Sequence, residues 1–304
     1  MNRLGYFAIA AWLAASTVSA QVPAAAPAAA SNAFDSAKAW EHLRQQVGIG
    51  PRPSGSPGNL KNRDYIKATL AGFGIKTVEQ PFDGATPIGQ IKMVNLIATI
   101  PGQRPDRIVL ASHFDTKIFR DFRFVGASDG ASSTAALLEL ARVIKARPQL
   151  PFTIELLFLD GEEATGDWQG TDNTYGSRHY VAAAGKAGTL KSLRALILLD
   201  MIGDRQLNLR REQNSTPWLT TIIWNTAKRL GHGAQFLDEV TPIEDDHIPF
   251  LKAGVQAVDL IDLDYPAWHT AQDTIENVAA RSLQIVGDVV VAALPEIEQR
   301  LLKQ

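Results

Sequence analysis

Three residues in three separate motifs carry the chemistry this chain could perform: Asp129 in Gly126-Ala127-Ser128-Asp129-Gly130, Glu163 in Asp160-Gly161-Glu162-Glu163-Ala164, and His269 in Trp268-His269-Thr270. Two carboxylates and an imidazole can hold zinc tetrahedrally, with the fourth position open to water or substrate. Such a set predicts hydrolytic or acyl-transfer chemistry at a metal. The chain has no cysteine, which excludes thiolate ligands, a thiol nucleophile and a disulfide framework. Any metal must therefore sit on His, Asp and Glu.

Each of these residues also has a plainer reading. Asp129 precedes a helical pattern, where a carboxylate commonly caps backbone N–H groups. Adjacent Glu residues are usually solvated loop charges, and a loop His is usually a hydrogen-bonded surface residue. Their arrival at the ends of successive apolar runs favours the metal. Neighbouring loop side chains point in different directions, so Glu163 is assigned to the metal and Glu162 to acid–base work.

His113 and Asp115, in Ser112-His113-Phe114-Asp115, share a face of an extended segment, where Asp115 could orient the imidazole. Asp200 abuts the apolar run Leu196-Ile197-Leu198-Leu199 and needs a partner or a metal. With His113 and Asp200 as ligands the site takes two zinc ions; without them it takes one. Trp168 and Trp268 could wall a substrate, although core filling is the usual role of Trp. Asp245 and Asp246 are either charges at a helix start or, in one case, the acceptor for a substrate amino group. His247 is expected to be structural.

The elements that must position these residues follow from apolar patterning. Strands are expected at Met93 to Ile100, Arg107 to Ser112, Phe152 to Asp160, Arg194 to Ile202 and Gln256 to Ile261, with Ile75 to Phe82 at an edge. Several runs are continuous rather than alternating, as in strands covered on both faces. Helical patterns cover Ser36 to Val47, Asn59 to Phe73, Gly130 to Arg147, Ser177 to Gly185, Thr216 to Leu230 and Ala280 to Leu302. The alternation predicts one three-layer α/β/α sandwich with the chemistry at the carboxyl ends of the strands.

Residues 1–20, with Arg3, an apolar run from Tyr6 to Ala15 and Thr17-Val18-Ser19-Ala20, read as an export signal. Ala/Pro-rich residues 21–33 read as a flexible tether, and residues 34–304 as a single catalytic domain. The expected protein is exported, periplasmic or extracellular, and monomeric. No later stretch is apolar enough for a membrane span. A formal charge of −2 with scattered Lys and Arg gives no reason to invoke nucleic acid.

Taken together, His113-Phe114-Asp115, Asp129, Glu162-Glu163, Asp200 and His269 resemble the M28 zinc metallopeptidases. Phe124-Val125-Gly126-Ala127-Ser128-Asp129, Tyr175-Gly176-Ser177-Arg178-His179, Glu244-Asp245-Asp246-His247-Ile248-Pro249-Phe250 and Trp268-His269-Thr270 resemble the animal-type glutaminyl-peptide cyclotransferases within that superfamily. The likeness implies a mixed, mostly parallel, zinc-exopeptidase-like sheet and one zinc on Asp129, Glu163 and His269. It also implies Glu162 as acid–base catalyst, Asp200 in the catalytic network, Asp245 orienting the substrate, and Trp168 and Trp268 walling a glutamine pocket. Peptide or protein N-termini would be the substrates.

Departures from the pattern are Asp259 where the family often carries a His, a charged segment from Met201 to Gln213, and the missing cysteine pair. The main alternative is a two-zinc aminopeptidase using His113, Asp129, Glu163, Asp200 and His269. A silent peptide-binding module would have lost a metal or acid–base residue, and none is missing. Signal cleavage after Ala20 would expose Gln21, itself open to cyclisation.

Overall fold

In this computed structural model the described residues are 1, 2 and 33–304, and residues 32–304 cluster as one compact unit. The expected export signal and most of the expected tether lie outside the described residues.

The central sheet has six strands, ordered β1-β2-β4-β3-β5-β8: β1 (Thr77–Thr86), β2 (Gly89–Ile100), β3 (Arg104–His113), β4 (Phe152–Leu159), β5 (Leu193–Asp200) and β8 (Ala257–Ile261). β1 and β2 form an antiparallel hairpin and β2 pairs antiparallel with β4, whereas β4, β3, β5 and β8 run parallel. The parallel strands are the continuous apolar ones. Every residue of β4 and β8 is buried, whereas edge strand β1 is largely open to solvent.

Side chains alternate across each strand, so one run feeds two cores. Ile108, Leu110, Leu156, Phe158, Ile197, Leu199, Val258 and Leu260 face one side, packing with Leu43 of α1 (Ser36–Ile49), Leu137 of α3 (Ala131–Lys145), Ile223 of α5 (Pro217–Arg229) and Val286 of α7 (Ala280–Leu301). Their neighbours Val109, Ala111, Leu157, Leu159, Leu196, Leu198 and Ala257 face the other, under Tyr180 of α4 (Tyr175–Lys186) and Phe250 of α6 (His247–Lys252). Two apolar clusters on opposite faces of one sheet make the expected three layers. α2 (Pro57–Gly72) lies against α1 and the β1–β2 hairpin.

Sequence patterning missed α6 and a two-stranded parallel sheet, β6 (Leu209–Glu212) with β7 (Phe236–Thr241). β6 falls in the charged segment after Asp200. Its four residues, Leu-Arg-Arg-Glu, alternate only at the ends, too short a signal for periodicity to register.

Among the described residues no helix is long and apolar enough to cross a membrane.

Candidate metal centre and pocket

The parallel strands end at one edge, and that edge carries the site, as open α/β sheets require. His113 is the last residue of β3 and Asp200 the last of β5; Glu162 and Glu163 lie just beyond β4, and His269 lies in the loop after β8. Asp129 precedes α3, whose N-cap position is Gly130 with no side-chain cap. The carboxylate is thus not spent on capping the helix. Gly130 itself has φ +85°, and a Cβ there would lie 2.7 Å from the Asp115 carbonyl and 3.1 Å from the His113 ring, so only glycine lets the loop turn this close to the site.

His269 Nε2 stands 3.3 Å from Asp129 Oδ2 and 3.4 Å from Glu163 Oε1. A tetrahedral zinc with bonds of about 2.0–2.1 Å needs donors separated by about 3.3–3.4 Å. Asp129 Oδ2 and both Glu163 oxygens are buried without a hydrogen-bond partner. Buried acceptors left unpaired are costly, and a cation between them answers the cost. These three residues fit a zinc ion.

Without a cation the cluster is electrostatically frustrated. Burial, then the charge of Asp129, pushes Glu163 up to about 7. Burial opposes protonation of His269, but the carboxylates of Asp129 and Glu163 close to Nε2 outweigh it and raise the ring to about 9. Asp129 ends well below the usual carboxylate range because the nearby imidazoles of His113 and His269 overcome its burial. Glu162 is driven well above the usual range, first by burial and then, against the opposing charge of His113, by Glu163, Asp245 and Asp200.

His113 Nε2 bonds Asp200 Oδ1 at 3.1 Å and lies 3.3 Å from Asp129 Oδ1; these three could also group around an ion. Asp115 lies 3.6 Å from His113 Nδ1, too far for a hydrogen bond, and accepts the backbone N–H groups of Glu162 and Glu163 at 3.2 and 3.3 Å. It therefore ties the strand carrying His113 to the loop carrying both glutamates. Asp273, unnoticed in the sequence, does the same for the other loop by accepting from Ser128 N and Asp129 N at 2.7 and 3.1 Å and from Tyr265 Oη at 2.8 Å. Beneath both, the fully buried Arg52 donates to the Phe114, Val125 and Gly126 carbonyls.

A cavity of about 440 Å³ opens over the cluster. Asp129, Glu162, Glu163, Trp168, Asp200, Asp245, Trp268 and His269 all line it, so eight expected site residues converge. Trp268 is 43% exposed and its ring stacks on His269 at 4.4 Å, which places it on the rim rather than in the core. Phe119 and Phe124 meet the same imidazole edge-on. Lys117, also missed in the sequence, lines the pocket with Nζ 3.8 Å from Glu163 Oε2 and donates to the Ala164 carbonyl at 3.0 Å, bracing the glutamate loop. Asp246 and His247 stay outside the pocket. Asp246 Oδ1 accepts from Ser177 Oγ at 2.5 Å, and His247 lies fully buried between Glu212 and Asp259.

A mixed, mostly parallel α/β sheet with a His and two carboxylates at its carboxyl edge defines a zinc-exopeptidase-like protein. Residues 95–294 match Peptidase family M28, and the chain belongs to that family. A mouse protein named glutaminyl-peptide cyclotransferase-like protein is 33% identical over 276 residues, covering 81% of this chain and 72% of its own length. The crystal structure of an Acidobacteriales bacterium glutaminyl cyclase superposes with a TM-score of 0.85 at 40% identity, over 93% of this chain and 100% of that one. Porphyromonas gingivalis glutaminyl cyclase gives 0.81 at 30%, over 86% and 98%.

Zinc must displace protons from His269 and Glu163, both of which hold theirs more tightly than usual. Affinity should therefore fall as pH drops below about 9, where the imidazole binds its proton, and fall more steeply below about 7, where Glu163 does too. Competition with a chelator across pH 6–10 reads this directly; an affinity flat over that range would contradict the assignment.

Proposed function

We propose that this protein is a zinc-dependent glutaminyl-peptide cyclotransferase. It turns the α-amine of an N-terminal glutamine onto that residue's own γ-carboxamide, forming pyroglutamate and releasing ammonia. The observation that carries this reading is the free carboxyl group of Glu162 lining the pocket beside the Asp129–Glu163–His269 cluster, under a tryptophan rim, in a chain whose relatives bear the cyclotransferase name.

One zinc, held by Asp129, Glu163 and His269, supplies Lewis-acid polarisation of the carboxamide oxygen when bound. The nucleophile arrives with the substrate, so no second ion is needed to activate water, and the bond between His113 and Asp200 supports their use as partners to each other. Trp168 and Trp268 hold the glutamine side chain folded back on its own amine, a proximity effect. Asp245 accepts from the α-amine and orients it. As the new C–N bond forms, Glu162 takes a proton from the amine nitrogen and gives it to the departing nitrogen, which leaves as ammonia. Burial suits Glu162 to this shuttle, because it raises the carboxyl group's hold on a proton taken from the amine.

Residues 34–304 form the catalytic domain, acting as a monomer on peptide or protein N-termini. An export signal over 1–20 and a tether over 21–33 take it to the periplasm or outside the cell. Cleavage after Ala20 leaves Gln21 first, and intact-mass analysis of exported protein should find it cyclised; a free Gln21 would count against self-modification.

Glu162→Gln should lower kcat on a Gln-initiated peptide by about 10²–10⁴-fold, the usual worth of a positioned general acid–base. Its zinc content should equal that of the parent protein, and chelation should abolish turnover in the parent. Loss of zinc from Glu162→Gln, or near-normal turnover with it, would overturn the division of labour between the adjacent glutamates.

A further inference from the structure

Behind the pocket wall lies a second buried cluster, of which the proposed reaction uses only Asp245. Asp245, His247 and Asp259 offer ligand atoms that all lie within 4.8 Å of one another, and only Asp245 reaches the pocket. His247 is 0% exposed and faces a carboxylate at each ring nitrogen: Nε2 is 3.0 Å from Glu212 Oε2, and Nδ1 is 3.5 Å from Asp259 Oδ2. Asp259, in the middle of β8, has no hydrogen-bond partner on either oxygen, and Asp245 has none on Oδ2.

The two carboxylates flanking His247 are not alike. Glu212 accepts from the backbone N–H groups of Asn214 and Ser215, from Asn214 Nδ2 and from Ser215 Oγ, at 2.6 to 2.9 Å. A carboxylate so well supplied stays ionised, and it is held at about 2 against its burial by His247 and these donors. Neither ring nitrogen of His247 completes an aligned hydrogen bond, but Nε2 lies 3.0 Å from an ionised Glu212 that can only accept, and this proximity calls for a proton on Nε2. Nδ1 is left to share one further proton with Asp259. Two carboxylates as close as Asp259 and Asp245 cannot both stay ionised in a dry interior unless one is compensated.

We propose that His247, held by Glu212, is a positioning residue that compensates Asp259, so that Asp245 remains the carboxylate facing the substrate's α-amine. The inference rests on the role given to Asp245 above. Without His247, Asp259 competes with Asp245 for the same proton, and Asp245 loses accepting power.

The test compares His247→Gln, Asp259→Asn and the double variant in the full zinc-loaded chain. KM and kcat are measured on a Gln-initiated peptide, and Kd for that peptide is measured calorimetrically in a Glu162→Gln background. His247→Gln should raise KM and Kd about tenfold, the worth of one charge-assisted hydrogen bond, with kcat changed far less and catalytic zinc retained. Adding Asp259→Asn should bring both back to within about threefold of the parent by removing the competing carboxylate.

Unchanged KM and Kd in His247→Gln, or a double variant no better than His247→Gln alone, would overturn the inference. So would a second equivalent of metal in the parent that His247→Gln loses, since the cluster would then be a cation site. Should His247→Gln fail to fold, imidazole ¹⁵N spectra of the parent decide: a proton on Nε2 of His247 is expected, and one confined to Nδ1 is contradictory. A parent that releases no ammonia would sink the activity reading, while the Kd series would still judge the clamp.

Discussion

Uncompensated negative charge at the carboxyl edge of the sheet is the constraint on which the rest of this structure depends. Asp115, Asp129, Asp160, Glu162, Glu163, Asp200 and Asp245 all lie there with little or no exposure to solvent. Burying that many carboxylates is tolerable only if each finds a proton, a cation or a set of N–H donors. The protein uses all three. Asp115 and Asp273 take backbone N–H groups, and Asp160 takes Ser54, Asn59 and Val94. Asp200 takes His113, and the oxygens left over on Asp129 and Glu163 point to a metal.

That allocation divides the adjacent glutamates. Glu163 reaches the imidazole of His269, while Glu162 has its nearest basic atom, His113 Nδ1, at 3.8 Å. The loop is braced by Asp115 below and Lys117 beside it, so one glutamate can serve a metal while its neighbour stays free to move a proton. Geometry here comes from backbone amides fixed by the strands of the sheet, which suits a reaction whose main demand is orientation.

Much of this was legible in the sequence because strand ends and chemistry coincide. Continuous apolar runs marked β4, β5 and β8, and the charged residues that followed them had to meet wherever parallel strands end. Glu162, Glu163, Asp200 and His269 follow such runs, and all four line one pocket. What stayed hidden was carried by residues acting through the backbone of others. Asp273 lies 144 positions from the Asp129 amide it holds, and Arg52 reaches carbonyls 73 and 74 positions away, with no local periodicity to betray either. The neighbours of His247 were equally illegible, since Glu212 ends a short strand without clear periodicity and Asp259 lies inside another strand.

The most direct measurement is a competition: one zinc-loaded sample of the protein, one mixture of Gln-, Leu- and Ala-initiated peptides, and product masses followed over time. The account predicts that the Gln peptide alone changes, by loss of one ammonia, and that the other two remain intact. Release of free leucine or alanine would contradict it, and would make His113 and Asp200 ligands of a second zinc in an aminopeptidase.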